Sequence, residues 1–356
     1  KLPPLISVPL SWLYGMVVHI RHKLFDLKIL RSEEFDIPVV CIGNLTVGGT
    51  GKTPVAELLI ERFSEHYRVG VLSRGYRRRT KGFVLSTPTS SARTIGDEPR
   101  QMKLKYPSVP VAVCEKRAEG IRLLRKAHPE IELIILDDAF QHRYVEPWVN
   151  ILLMDYNNPV YRDRLLPWGR LRDTRNQIHR ANFVLVTKCP DDLNPLDMRI
   201  VINSLGLFPY QSLYFTRMRQ GEITPLFADR AVGKVREGDP VIAMSGIANP
   251  VPLLENLRKR FDVVAELTFD DHHTYRLSDM RRLEALFAAY PDAVVLTTEK
   301  DAVKLTNRKK VPEAVQQRLY YVPIHVSFVA DSESEFLRQL ELYVRTNQKY
   351  SLLHPE

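Results

Sequence analysis

The 356-residue chain predicts an α/β fold: a parallel-sheet domain, a two-stranded β connector and a smaller α/β/α domain. Three observations carry this. Short apolar runs alternate with helix-period segments between residues 38 and 205, as in strands joined by crossover helices. A glycine-rich turn, ending Gly51-Lys52-Thr53, separates the first run from the first helical segment. After residue 210 two extended stretches follow with no helix between them, and the alternation resumes near Gly238.

Strands are expected at 38–42, 68–72, 109–114, 133–136, 150–154 and 183–186, and helices at 54–66, 99–105, 116–127 and 194–205. The stretches 211–218 and 222–227 flank a glycine turn and read as the connector. Beyond it, strands at 241–245, 263–267, 293–297 and 319–323 alternate with helices at 251–260, 277–290 and 332–348. The division is therefore an N-terminal helix in 1–30, a first domain in 31–209, the connector in 210–237 and a second domain in 238–356. The end of the second domain has the option of packing back on the first.

Residues 42–53 read IGNLTVGGTGKT, and they constrain function most. A buried strand, a glycine-rich turn and a helix start form a phosphate loop. The turn comprises Thr46, Val47, Gly48, Gly49, Thr50 and Gly51, followed by Lys52 and Thr53. Its glycines let backbone N–H groups converge on an anion, and the helix N-terminus adds partial positive charge. Lys52 suits the β/γ-phosphates, and the Thr53 hydroxyl suits Mg²⁺. Thr46 stands where the G-x-x-x-x-G-K-[ST] pattern has its first glycine. The first domain is thus expected to be phosphate-loop NTPase-like, holding nucleotide phosphates with Mg²⁺ as the metal.

Asp137 and Asp138 end the apolar run 133–136. An acid at the end of a strand beside a phosphate loop holds Mg²⁺ directly or through water; a turn cap is the plain alternative. Asp97 and Glu98 precede Pro99, and spacing alone favours a helix cap there over a general base. Asp270, Asp271, His272 and His273 end a strand of the second domain. One imidazole facing an interdomain cleft could tune a carboxylate, and a solvated loop is the alternative. Residues 165–173 form a proline- and arginine-bearing turn suited to phosphate contact. Residues 298–302 read as a helix start with charge pairs. Thr187-Lys188-Cys189-Pro190 has Asp191 one position too late for a guanine-reading element.

Composition sets the outer bounds. Hydrophobic residues make up 44% and charged residues 26%, as in a globular chain with a real core. Cys41, Cys114 and Cys189 lie far apart without C-x-x-C, which argues against a disulfide framework or zinc site. The net charge of +9 favours a polyanionic partner. Arg74, Arg77, Arg78, Arg79 and Lys81 cluster after one strand, and Arg162, Arg164, Arg170, Arg172 and Arg175 form a second group. Apart from Tyr76 these arginines lack interleaved aromatics, which disfavours nucleic acid and leaves an anionic membrane surface or a phosphorylated substrate. No obligate protein partner is evident.

From Leu2 to Ile20 there is no charged residue except histidine, and Pro3, Pro4 and Pro9 argue against a straight spanning helix. From Pro9 onward Leu10, Leu13, Tyr14, Val17, Val18, Leu24 and Phe25 share a helical stripe, with Trp12 suited to an interface. The stripe fits an interfacial helix or a helix packed on the protein's own core. A cleavable signal peptide is not expected.

Read together, these motifs resemble the tetraacyldisaccharide 4′-kinase family, the lipid A 4′-kinases of Gram-negative bacteria. The resemblance rests on GNLTVGGTGKTP at 43–54, LSRGY at 72–76, GDEP at 96–99, DDAFQH at 137–142, LPWGRLRD at 166–173, TKCP at 187–190, DDHH at 270–273 and TEKDAVKL at 298–305. It implies transfer of the ATP γ-phosphoryl group to the 4′-hydroxyl of a tetraacylated glucosamine disaccharide 1-phosphate, with Mg²⁺, by a peripheral enzyme at the cytoplasmic face of the inner membrane. By motif position it implies Asp97 as general base supported by His272, with Lys52 and Thr53 at the phosphates. It places Asp137, Asp138 and Glu98 at the metal. Arg74, Tyr76, Arg117, Gln141, His142, Arg172 and Asp173 would be substrate contacts. Ala139 replaces an expected glycine, and Asp173 an expected glutamate. The alternatives are a phosphate-loop kinase or ligase for a soluble metabolite, and a nucleotide switch or nucleic-acid module.

Overall fold

The computed structural model describes residues 3–353, with side chains to residue 346. Its strands are β1 Val39–Asn44, β2 Val69–Ser73, β3 Val84–Leu85, β4 Val111–Val113, β5 Leu133–Asp137, β6 Val149–Asp155, β7 Phe183–Thr187, β8 Ser212–Gln220, β9 Thr224–Pro225, β10 Pro240–Ser245, β11 Asp262–Thr268, β12 Val294–Thr298, β13 Leu319–Val322 and β14 Ile324–Phe328.

The first sheet has the order β14-β8-β7-β6-β1-β5-β2-β4-β3. It is parallel from β8 to β4, with antiparallel strands at both edges. Its central strands are buried throughout and mostly apolar, with polar residues mainly at their carboxyl ends. Val40 and Ile42 join one core layer, Val39 and Cys41 the other, following the two-residue strand period. The second sheet has the order β11-β10-β12-β13-β9, with only β9 antiparallel.

The stretches 211–218 and 222–227, expected to form the connector, lie in different sheets. Tyr214 and Phe215 are buried in the two opposite core layers of the first sheet, so β8 belongs to that sheet. It pairs with β7 and, antiparallel, with β14. β9 lies instead on the edge of the second sheet, beside β13. The two strands linking the domains are thus β8 going out and β14 returning. The expected strand at 319–323 is β13, which stops before Pro323, a residue without the N–H a central strand needs, and β14 begins directly after it. The last helix, Glu333–Leu353, places Phe336, Leu340 and Val344 in the core of the first domain.

The N-terminal helix also departs from expectation. It runs Pro4–Asp26, straight through Pro9. Pro4 occupies the first turn, where its missing N–H is no loss. Pro9 has no N–H to offer the carbonyl of Leu5, and Leu5 lies in the open, where water can serve that carbonyl. Ser7, Ser11, His22 and Phe25 face the protein, while Leu5, Leu10, Trp12, Leu13, Met16 and Val17 face outward. The apolar stripe is therefore split: Leu10, Leu13 and Val17 lie in the open, while Tyr14, Val18 and Leu24 are half-buried and Phe25 is buried against the protein. Among the described residues no helix is long and apolar enough to cross a membrane.

Candidate active site

The site sits at the carboxyl ends of the first sheet's strands. β1 and β5 are neighbours, with Ile42 level with Asp137, so the glycine-rich turn after β1 emerges beside the acid pair after β5. Helix Lys52–Phe63 follows the turn directly, with Thr53 in its first turn. Gly51 has φ +85°, a left-handed conformation that strains any side chain; a Cβ there would also meet the flexible end of Met218, Cε at 2.2 Å, which has to move aside. Two polar groups from β7's end brace the turn: Thr187 Oγ1 donates to the Thr50 carbonyl at 2.8 Å, and Lys188 Nζ donates to the Gly49 carbonyl. Lys188 is itself held by Asp155 at 2.9 Å.

The two acids have different surroundings. Asp138 faces cations: Lys52 Nζ at 3.8 Å, and Arg172, whose Nη1 donates to it at 3.2 Å and whose Nη2 also reaches it. Burial raises its carboxyl, but Lys52 and Arg172 outweigh burial and hold it down at about 2. Asp137 is buried; Ser73 Oγ donates to its Oδ2 at 3.2 Å, and its Oδ1 has no hydrogen-bond partner among the described residues. Burial first, then the Asp138 charge, pushes it up to about 6. Glu98 is near enough to add to that push, and pairs with Lys300 of the second domain at 3.5 Å. Among the described residues no three His, Cys, Asp or Glu side chains form a metal cage.

Asp97 begins helix Asp97–Lys105, which follows Gly96 at φ +95°. His272, in a left-handed conformation with φ +62°, comes across from the second domain and places Nδ1 2.8 Å from Asp97 Oδ2. Lys304 Nζ lies 3.7 Å from the same oxygen. Burial raises the Asp97 carboxyl, yet the His272 hydrogen bond and the charges of Lys304, His272 and Lys300 leave it below its ordinary value. His272 Nε2 meets Lys300 Nζ at 3.4 Å and Asp271 at 3.5 Å, and its ring lies 5.6 Å from that of Tyr76. His273 instead pairs with Asp279 inside its own domain at 2.9 Å and stacks on Phe269.

The remaining candidates divide. Arg117 is buried; its Nη1 donates to the Cys114 carbonyl at 2.9 Å, and its backbone N–H donates to His142 Nε2 at 3.2 Å. Burial, then Arg117, Arg21 and Arg74, hold the His142 imidazole down at about 4, so it is neutral beside three arginines. Gln141 donates to the Asn44 carbonyl at 2.8 Å, and Arg74 and Tyr76 are exposed. Asp173 is not brought to the cleft: it is 1% exposed, and its Oδ1 lies 2.6 Å from His22 Nε2.

Sequence reasoning missed Asn44. It is buried, and its Oδ1 accepts from Lys52 at 3.4 Å and Arg172 at 2.5 Å. An amide ending a strand immediately before the glycine turn is the only local signal for it. Lys188, Lys300 and Lys304 stand in stretches singled out above, but their partners are distant in sequence.

This combination of fold and site defines a phosphate-loop NTPase-like phosphotransferase. The family model for tetraacyldisaccharide-1-P 4′-kinase matches residues 4–343. Proteins named tetraacyldisaccharide 4′-kinase are similar over almost their full length. The one from Bacteroides thetaiotaomicron is 44% identical, with 96% of this chain and 94% of the relative covered. The one from Flavobacterium johnsoniae is 38% identical, with 96% and 97% covered. A crystal structure of LpxK from Aquifex aeolicus in complex with ATP superposes with a TM-score of 0.73 at 27% identity, covering 95% of this chain and 98% of that one. The chain belongs to the tetraacyldisaccharide 4′-kinase family.

Proposed function

We propose that this protein transfers the γ-phosphoryl group of ATP to the 4′-hydroxyl of a tetraacylated glucosamine disaccharide 1-phosphate, the kinase step of lipid A biosynthesis. It would act as a peripheral enzyme on the cytoplasmic face of the bacterial inner membrane. The observation that carries the reading is the Asp97–His272 pair, which spans the cleft beside the phosphate loop and the acid pair.

Lys52 and the N–H groups of residues 48–53 bind the phosphates. Asp97 accepts the proton of the attacking hydroxyl as its oxygen bonds to the γ-phosphorus and the bond to the β,γ-bridging oxygen breaks, releasing ADP. Its lowered carboxyl keeps it ionised at neutral pH, and a loose transition state asks little basicity of it. His272 orients Asp97 through Nδ1, and Lys300 and Lys304 neutralise the local carboxylate charge. The residues fit Mg²⁺: Asp137 Oδ1 is buried without a partner among the described residues, and with Asp138 and the Thr53 hydroxyl it makes the all-oxygen set that this ion takes alongside substrate phosphates. Glu98 belongs at the margin of that set, tied to Lys300. Bound Mg²⁺ would neutralise charge on the phosphate oxygens.

Arg74, Tyr76, Gln141 and His142 would line the approach for the disaccharide, with buried Arg117 behind His142. The outward apolar face of helix Pro4–Asp26 suits the bilayer that holds the acyl chains, and the basic 74–81 loop suits anionic headgroups. The test offers acylated and deacylated disaccharide 1-phosphate in parallel. Preference for the acylated acceptor supports the reading, and equal use of the deacylated one contradicts it.

A further inference from the structure

The inner face of helix Pro4–Asp26 is polar, and its contacts converge on one loop. Ser11 Oγ donates to the Leu165 carbonyl at 2.9 Å, and Tyr14 Oη to the Arg172 carbonyl at 2.8 Å. A Cβ on Gly15 would meet Leu165 Cδ1 at 2.9 Å, so helix and loop lie in close contact. His22 reaches Asp173 at 2.6 Å, with both side chains buried. The same loop is laced to the start of the phosphate turn: Val47 N–H donates to the Arg170 carbonyl and Arg172 N–H to the Leu45 carbonyl, each at 2.8 Å. The next link is the Arg172 guanidinium on Asp138 and Asn44.

We infer that His22 is a positioning residue for phosphoryl transfer: with Asp173 it pins the outward-facing helix to the loop that sets Arg172 on Asp138. The inference rests on the kinase reading above.

The donors fix the chemistry of the pin. Arg143 Nη1 lies 3.1 Å from His22 Nδ1, and a guanidinium only donates, so Nδ1 is the acceptor. Nε2 therefore carries the hydrogen and donates to Asp173 Oδ1. That oxygen also takes the Thr174 N–H at 2.8 Å, while Oδ2 is buried and, among the described residues, unpartnered. A buried carboxylate served on one side only depends on each donor it has. Without His22, Asp173 must turn toward another donor or toward water, and the adjacent Arg172 moves with it. This also gives the shorter acid at position 173 a role: its carboxylate stays inside, on the helix, rather than reaching a substrate.

The test measures kcat, lipid KM and ATP affinity for the wild type, His22→Ala, His22→Gln, Asp173→Asn and the double variant His22→Ala/Asp173→Asn. His22→Ala is expected to lower kcat roughly tenfold or more, as loss of a buried charge-assisted hydrogen bond implies, with ATP affinity within about twofold because the phosphate turn itself is intact. His22→Gln, whose amide N–H can stand near the Nε2 position, is expected to recover most of the rate. The double variant is expected to lose little more than either single one. A His22→Ala kcat within twofold of wild type, no recovery with Gln, or fully additive losses would overturn the inference. Wild-type turnover is read first, since its absence would count against the kinase reading instead. Denaturant unfolding of the same set tests the pair without turnover: non-additive stabilities are expected, and additive ones would overturn the pin.

Discussion

Glu57 offers a quantitative test of how the two domains meet. It is 3% exposed in helix Lys52–Phe63, and shares Lys105 with Glu299 of the second domain. Lys105 Nζ lies 2.6 Å from Glu57 and 3.4 Å from Glu299, and Gln101 donates to Glu57 at 2.8 Å. Burial, then the Glu299 charge, pushes the Glu57 carboxyl up to about 7 from 4.5, with Lys105 taking back only part. Between those values the folded protein binds more protons than the unfolded chain, so stability falls as pH rises. The slope approaches about 1.4 kcal/mol per pH unit, or about 3 kcal/mol across the window. Glu57→Gln removes this titration while its amide oxygen still accepts from Lys105. Urea unfolding at several pH values should show the variant near wild type at pH 5 and more stable by up to about 3 kcal/mol at pH 8. Parallel stability curves, or a variant weaker at pH 8, would refute the reasoning and return Glu57 to an ordinary ion pair.

Other expectations concern the chemistry and the membrane. Asp97→Ala should reduce turnover by roughly 10²–10⁴-fold while ATP still binds; a near-normal rate in steady-state assays would remove Asp97 as the base. Arg172→Lys keeps the charge but cannot span Asp138 and Asn44 together, so kcat should drop about tenfold or more; unchanged kcat would make the bidentate contact incidental. Replacing the outward Leu10, Leu13 and Val17 by Gln should leave the melting temperature unchanged. It should also cut co-sedimentation with anionic vesicles about tenfold or more, since each such side chain is worth about 1.5–3 kcal/mol when fully buried. Unaltered vesicle binding would take the helix out of the interface.

Features that depend on neighbours in sequence were legible; those that depend on distant strands were not. The phosphate turn, the apolar parallel strands and the acids ending β5 are local patterns, since backbone geometry and strand burial set them within about ten residues. Asp97 illustrates the limit. Spacing placed it at a helix start, where it is, but its partner His272 lies 175 residues on, and nothing near Asp97 announces that contact. The connector failed for the same reason: the strand beside β8 is β14, more than a hundred residues later, not the stretch after the next turn. The N-terminal stripe had the right period, but periodicity does not say which face a helix turns to the protein. There Ser11, Tyr14 and His22 turn inward because they find acceptors in the 165–173 loop, and Leu10, Leu13 and Val17 are left outside. Asp173 was placed by motif among the substrate contacts; its burial against His22 became visible only with the helix in place.

The central claim is phosphoryl transfer from ATP to a membrane-held sugar hydroxyl. Its most direct test follows label from γ-labelled ATP, with Mg²⁺ and mild detergent, onto purified tetraacyldisaccharide 1-phosphate, with products separated by thin-layer chromatography. The wild-type protein should give a labelled product that comigrates with the bis-phosphorylated lipid, and Lys52→Ala should give none. An unlabelled lipid from a protein that still binds ATP would contradict the claim and direct attention to soluble acceptors.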